Sequence, residues 1–554
     1  MVRGGARHGC QRGAQGAEGG DGALVADGVF VRRGRWQGAD GTGAKHSVSQ
    51  EEQTYYAKFI NTQMESDEAV TKEYGLPMDT TGDELFGKVR DGVILCKLLN
   101  LAVEESADER ALNFPKDGAE LKPWKMHENL DLVLNSAKAI GCKIVNIGTG
   151  DIIDGVKHNI LGLLWQIVRV SVLYKVSIKQ IPELVVLLQE DEELPEFLAL
   201  PPEAILLRWV NYHLKESKRW ARDPVKNFSG DIADSEAYLL LLSCLDEKCA
   251  TDALKSDDHL ERARAVITNS EKVGFSPFLS PESITSGNSR LNLAFVANLF
   301  ATRHGLEIPQ EKIVEMAGLL EDEGESREER CFVMWLNSLN LDDHVHALTE
   351  DLADGVVLLQ AIESLKPGTV QKKRVNKRPV KMTFKRGENC NYFMELAKDL
   401  GLPLVGIGSI DLLEKNKKLV ESLLWQLMRY HTGTVLESLS KDGKKPTDKD
   451  ILQWANGTLE GAGDERKLSS FKDPSLSDGV ALLGLLKAVE PDVIDPKFVF
   501  DPPKDDKEKE MNARYVISVT RKLGATVFLT WEDIVEVNQK MLVILVASLM
   551  ALQR

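Results

Sequence analysis

One helical pattern recurs four times along this chain, and that repetition constrains the fold more than any other feature. Three copies carry an Asp-Gly-Val step running into an apolar helix: DGVILCKLLN from Asp91, DGVVLLQAIE from Asp354 and DGVALLGLLK from Asp478. The fourth, DSEAYLLLLS from Asp234, is degenerate. Upstream of each step lies an aromatic followed two residues later by Asn (Phe59-Ile60-Asn61, Trp209-Val210-Asn211, Trp335-Leu336-Asn337, Trp454-Ala455-Asn456). Downstream lies a long apolar closing helix: LGLLWQIV from Leu161, LNLAFVAN from Leu291, ESLLWQLM from Glu421 and VILVASLM from Val543. Copies one and three share Leu-Leu-Trp-Gln, whereas copies two and four place Phe295 and Ala547 where the others have Trp165 and Trp425, so two types alternate. Spacings of about 120 to 150 residues between the steps exceed any solenoid period, so each copy buries its own core. Helical spacing, as at Leu130, Leu134, Ala137 and Ile140 before Gly141, dominates, and alternating runs with hairpin dipeptides are lacking. The expected fold is all-α, four helical domains in two tandem pairs.

The domain boundaries are expected at 47–174, 198–306, 325–434 and 446–554. Residues 1–46 hold 13 glycines and no apolar period, and are read as disordered because they bury too little surface to offset ordering entropy. The acidic runs Glu190 to Glu193 and Glu321 to Glu325 read as solvated linkers, and Lys441 to Thr447 as the third boundary. The longest apolar stretch, Met541 to Leu552, is too short to span a bilayer, and no secretory h-region opens the chain, so a cytoplasmic protein is expected. Seven scattered cysteines, with Cys96, Cys244 and Cys331 in apolar helical patterns, read as reduced thiols rather than a disulfide framework. A net charge of −16 argues against nucleic acid as a partner. Local charge differs: Gln371 to Arg386 holds Lys372, Lys373, Arg374, Lys377, Arg378, Lys381, Lys385 and Arg386 without one acid, which suits an acidic protein surface, anionic phospholipid or simply a solvated loop.

Sites for chemistry fail on inspection. Gly82 to Val89 resembles a phosphate-binding loop but ends in Val where a Ser or Thr must reach magnesium, carries two carboxylates, and follows no strand; a turn is the better reading. His344 and His346, two residues apart beside Asp342 and Asp343, do not share a helix face and lack a third ligand. No nucleophile elbow, zinc-protease motif or EF-hand loop occurs, so neither catalysis, metal nor cofactor is expected. The tryptophans at 165, 209, 335, 425 and 454 lie in apolar helical patterns and read as packing residues.

The aromatic opening helix, the Asp-Gly-Val step, a helix ending in Gly, and IGTGDIIDGVKHNILGLLWQIV from Ile147 together resemble the calponin-homology domain. The four-copy order, with ENLDLVLNSAKAIGCKIVNIG (Glu128), SGNSRLNLAFVANLF (Ser286), REERCFVMWLNSLN (Arg327) and ENCNYFMELAKDLG (Glu388), resembles the fimbrin, or plastin, family over about residues 47–554. The resemblance implies two actin-binding halves in one monomeric chain, each a type-one plus type-two pair, crosslinking filaments into tight bundles, with the stretch from about Gly305 to Arg327 as spacer. It places filament contacts near Tyr55 to Met64, Lys122 to Lys125, Gly148 to His158 and Pro202 to Tyr212, and near Phe332 to Leu339, Lys377 to Arg386, Gly408 to Lys418 and Asp450 to Asn456. The candidate residues within them are Phe59, Lys122, Lys125, Asp151, Lys157, His158, Lys377, Lys381, Lys385, Arg386, Lys415 and Lys417. Filamentous actin is the expected partner, anionic phospholipid a secondary one, and the cytoskeleton the expected location. Family members typically begin with two EF-hands; the Gly-rich start here offers no carboxylate loop, so bundling is expected to be calcium-independent. Leu412-Leu413-Glu414 is expected to replace Ile153-Asp154-Gly155 in the third domain, altering its filament surface.

Overall fold

The computed structural model describes residues 49–115, 119–178, 180–189, 192, 194–198, 200–275, 278–308, 326–440 and 443–553. Each copy of the repeat is built on four long helices: α1 (Gln50–Met64), α2 (Val93–Ala102), α3 (Pro123–Ala139) and α4 (Lys157–Leu173) in the first domain; α5 (Pro202–Glu216), α6 (Glu236–Leu245), α7 (His259–Lys272) and α8 (Ser289–Thr302) in the second; α9 (Arg327–Ser338), α10 (Val356–Leu365), α11 (Thr383–Asp399) and α12 (Lys417–Leu439) in the third; and α13 (Asp448–Gly461), α14 (Val480–Val489), α15 (Asp506–Lys522) and α16 (Gln539–Gln553) in the fourth. Among the described residues there is no β-strand, as the all-α reading requires. The expectations for residues 1–46, for Glu321 to Glu325 and for most of the spacer lie outside the described residues.

The opening helices start where local chemistry favours it. Ser49 caps α1 by accepting from Glu52 N, while Ser326 with Glu329 and Thr447 with Asp450 form reciprocal capping boxes on α9 and α13. The Asn of each aromatic-x-Asn triplet then clips the following loop with a two-way amide bond. Asn61 holds both backbone groups of Met78, Asn211 those of Val225, Asn337 those of Val345 and Asn456 those of Leu468, all at 2.8–2.9 Å.

The Asp-Gly step is a second clip. Asp91, Asp354 and Asp478 each accept from the backbone N–H two residues on, at 2.9–3.1 Å. The glycine between takes φ of +83°, +73° and +72°, and a Cβ on Gly355 would stand 2.8 Å from Cys390 N. Only glycine meets both demands cheaply. The close neighbour is a buried Asn on the third helix: Asn129, Asn389 and Asn512 donate to the Asp carbonyl and exchange bonds with Asn113, Asn376 and Phe500 respectively. In the degenerate second copy Ser235 occupies the same left-handed conformation, φ +64°, at a cost of about 1–2 kcal/mol.

Within each half the closing helices pack together, α4 on α8 and α12 on α16. Trp165 and Trp425 sit at these two seams, facing Arg290 and Lys540 of the neighbouring domain with the cation 5.9 Å from the ring centre in both. Trp209 and Trp335 are fully buried as expected, but Trp425 and Trp454 are only half-buried, because one lies at a seam and the other at a surface groove. Cys96 and Cys331 are core thiols; Cys244, read as one, is exposed. Of the acidic run before the second domain only Glu192 lies within the described residues, and it takes two bonds from Arg208 at 2.6 and 2.8 Å, with Leu184, Leu187 and Phe197 nearby buried.

The two halves also meet. Helix α3 packs along α15, and α9 touches α3. Asn135 donates to Arg521 O at 2.9 Å and accepts from Thr526 Oγ1 at 2.6 Å, Arg521 Nη1 donates to Ser106 O at 2.8 Å, and Ser518 Oγ accepts from Asp108 N at 2.8 Å. Such a buried polar network fixes one register between first and fourth domains, because slipping strands its donors away from water.

Candidate binding surfaces

Exposed large apolar side chains recur at matched places on the two type-one domains. On the first these are Trp124, 52% exposed at the start of α3, and Val145, 46%; Leu101 and Tyr174, at 54% and 57%, are exposed elsewhere on that domain without a counterpart. On the third they are Met382, Phe384, Val405 and Ile410 at 55%, 61%, 88% and 55%. Phe384 occupies on α11 the position of Trp124 on α3, and Val405 that of Val145. The first turn of α3 is tied to the short helix Thr149–Ile153 by a 2.8 Å bond between His127 Nδ1 and Thr149 Oγ1, and Gly387 on α11 lies against Leu413 of the equivalent helix Ser409–Leu413. Lysines flank both patches. Lys122 and Lys125 are exposed beside Trp124, with the Lys122 ammonium 4.7 Å from the ring centre; Lys381, Lys385 and Arg386 are exposed beside Phe384. An exposed aromatic set among cations is chemistry suited to a partner with an acidic, partly apolar surface.

The other candidates fall into two groups. Lys157 and Lys417, at the starts of α4 and α12, are tied by ion pairs of 2.6 Å to Asp83 and Glu329, and Lys415 lies 3.5 Å from Glu350. The Lys157 ammonium holds the Asp83 carboxyl below the usual carboxylate range. Asp151 accepts from Gly148 N at 2.8 Å and Asp411 from Gly408 N at 2.7 Å, so Asp151 is a helix cap. Phe59 is not offered to a partner at all. It is 7% exposed, stacked on Tyr55 and set edge-on against Phe278 of the second domain, where it joins the first half together. His158 and Lys377 are at the surface, the latter within the basic tract.

Two of the eight basic residues in that tract have acids brought to them by the fold. Arg378 pairs with Asp354 at 2.7 Å and Arg374 with Glu395 at 2.6 Å. The third-domain register also needs correcting by one residue: Leu413-Glu414-Lys415 match Ile153-Asp154-Gly155, so Lys415 holds at φ +58° the turn that Gly155 holds at +71°. Sequence reasoning missed Trp124 and Phe384, although a signal existed: both lie off the helical stripe that Leu130 and Leu134 define on α3 and that Phe393 and Ala397 define on α11. The Gly82 to Val89 stretch, expected as a turn, is instead a bend at Gly82 leading into a short helix, Glu84–Lys88, with Gln53 donating to Gly82 O and Lys88 turned to the Tyr74 carbonyl. Among the described residues no group of three or more metal-ligating side chains is assembled.

A family model described as the calponin homology (CH) domain matches residues 50–172, 200–305, 326–433 and 445–554. The chain is 45% identical to Fimbrin-4 of Arabidopsis thaliana over 91% of its own length and 77% of that protein's, and 44% identical to the fimbrin of Saccharomyces cerevisiae over 93% and 80%. It is 41% identical to Plastin-3 of Danio rerio, over 92% and 81%. Among solved structures, the actin-crosslinking core of Schizosaccharomyces pombe fimbrin superposes with a TM-score of 0.76 at 39% identity, covering 91% of this chain and all of that one.

Proposed function

The chain belongs to the fimbrin family of calponin-homology proteins, and we propose that its two exposed aromatic patches, around Trp124 and Phe384, are the filament contacts of its two halves. The protein binds actin filaments and crosslinks them into bundles. The observation that supports the assignment is the recurrence of the patch: the same helix start, in both type-one domains, exposes an aromatic flanked by lysines. A single patch tethers a protein to one filament; two on one rigid body bridge two filaments, since the second contact forms at high effective concentration once the first is made.

The buried seam between α3 and α15 sets how the bridge works. The halves pack against each other, so the distance and angle between bound filaments are set by that packed interface. The chain acts as a monomer, because both filament surfaces are in one polypeptide. Bundling does not depend on calcium, and a calcium titration against a chelator checks this. Sedimentation of filaments at low speed tests the function as a whole: bundles pellet and singly decorated filaments do not. Filaments left in the supernatant at saturating protein would overturn the reading.

A further inference from the structure

A hydroxyl stands uncommitted at the edge of the second aromatic patch. Thr383 is the first residue of α11, exposed between Met382 and Phe384, and among the described residues its Oγ1 has no hydrogen-bond partner. In the same half Thr349, Thr369, Thr434 and Thr447 each commit their hydroxyls to a bond of 2.7–3.0 Å. The helix start around Thr383 is also lightly closed. Met382 at the cap offers no side-chain bond, and the turn rests on backbone bonds from Lys385 and Arg386 to Met382 O at 3.0 and 3.2 Å. Such terminal turns are the first to open. The surroundings are basic: Lys381, Lys385 and Arg386 are exposed within three residues of Thr383, and no acid lies between Gln371 and Gly387. An accessible hydroxyl between cations is the acceptor that an enzyme with an acidic substrate groove selects.

We propose that Thr383 is a phosphorylation site, modified by a protein kinase that selects basic residues, and that the phosphate switches off the filament contact of the second half. In the transfer Thr383 Oγ1 attacks the γ-phosphorus of a nucleoside triphosphate. The new O–P bond forms as the bond from that phosphorus to the β,γ-bridging oxygen breaks, the nucleoside diphosphate leaves, and the hydroxyl proton passes to the carboxylate base of the kinase. The fold tolerates the product, because a phosphate of charge about −1.5 to −2 at the start of a long helix meets the positive end of the helix and three neighbouring cations. For a partner recognised by those cations the effect is the reverse: the positive charge beside Phe384 is largely cancelled, and a dianion faces an acidic surface. The first half has no such switch. The residue equivalent to Thr383 on α3 is Pro123, and Thr149, near that patch, is engaged by His127 at 2.8 Å. One modification therefore removes one contact and turns a crosslinker into a binder of single filaments. That consequence rests on the functional reading above, whereas the acceptor assignment does not.

The test uses the full chain, ATP and the catalytic domain of a Ser/Thr kinase selective for basic residues around its acceptor, read by peptide mass spectrometry and actin sedimentation. Phosphate is expected on Thr383. The modified chain should still pellet with filaments at high speed through its first half and melt no lower than before. The concentration that half-pellets filaments at low speed should rise on the order of tenfold and return after phosphatase treatment. Thr383→Ala should bundle equally with and without the kinase. Thr383 left unmodified, low-speed pelleting unchanged by its phosphate, a lowered melting temperature, or bundling lost equally in Thr383→Ala would each overturn the proposal. Phe384→Ala separates that failure from failure of the functional reading. If it weakens bundling where the phosphate does not, the switch falls and the contact stands; if neither weakens it, the contact itself falls.

Discussion

Replacing Phe384 by alanine separates binding from folding. The side chain is 61% exposed at the second position of α11, so the fold loses little packing, and alanine is the better helix former by roughly 0.5 kcal/mol. Thermal stability should therefore hold or rise slightly. Against a filament the balance changes. A phenylalanine presents about 200 Å² of surface, of which the exposed three-fifths is about 120 Å²; at ~25 cal/mol per Å² its burial is worth at most about 3 kcal/mol. Ordering and imperfect fit leave about 1–2 kcal/mol, which is on the order of five- to thirty-fold in affinity. In the intact chain the readout is the protein concentration that half-pellets filaments at low speed, with a thermal melt alongside. Unchanged bundling together with an unchanged melt would mean that Phe384 faces water in the complex, and the patch assignment would fall. A markedly lower melting temperature would mean instead that the side chain packs within the domain.

Asn389→Ala should destabilise the third domain by about 3 kcal/mol, at about 1 kcal/mol for each of its three bonds, to Asp354 O and to both backbone groups of Asn376; Asn269→Ala in the second domain, which donates to Ala250 O and accepts from Lys272 Nζ, should cost about two-thirds of that in the same urea titrations. Converting Lys381 and Lys385 to Glu should weaken filament binding and flatten its salt dependence, because exposed charges act over only about 8 Å at physiological salt; intact actin affinity with lost binding to anionic vesicles would favour a lipid partner instead. His344, stacked on His346 with ring centres 4.6 Å apart, is held by burial at a pKa of about 4, below its ordinary value. The unfolded chain then binds the extra proton first, so stability present above about pH 6.5 is lost as pH falls toward 4, by roughly 3 kcal/mol at most. His344→Gln should flatten the slope of denaturation midpoint against pH in that window, and an unaltered slope would rule this histidine out as its source.

The sequence made the architecture legible because its repeat is a set of backbone demands. An Asp-Gly step must hold a positive φ against a buried Asn, and an aromatic-x-Asn must clip a loop, so the pattern survives in three of four copies and is recognisable in the fourth. Binding residues were harder to read. Lysines attracted notice by charge, yet Lys157 and Lys417 are held in ion pairs made across helices that sequence spacing does not bring together, and Phe59 is consumed by a seam with Phe278 that is distant in sequence. Trp124 and Phe384 lie inside two of the stretches assigned to filament contact, Lys122 to Lys125 and Lys377 to Arg386, but are not singled out there because charge, not register against the buried stripe, guides the choice of residues. The seam between the halves was not legible at all. Its bonds join residues nearly 400 positions apart, and Asn135 and Thr526 look like ordinary helix and loop residues until they face each other.

The central claim is that bundling needs one working filament surface in each half. Chains carrying Trp124→Ala with Lys122→Glu and Lys125→Glu, or Phe384→Ala with Lys381→Glu and Lys385→Glu, should each still pellet with actin at high speed, through the untouched half. Neither should bring filaments down at low speed, and the chain with all six changes should do neither. If one set of changes leaves low-speed pelleting at the level of the unaltered protein, the two-patch account is wrong.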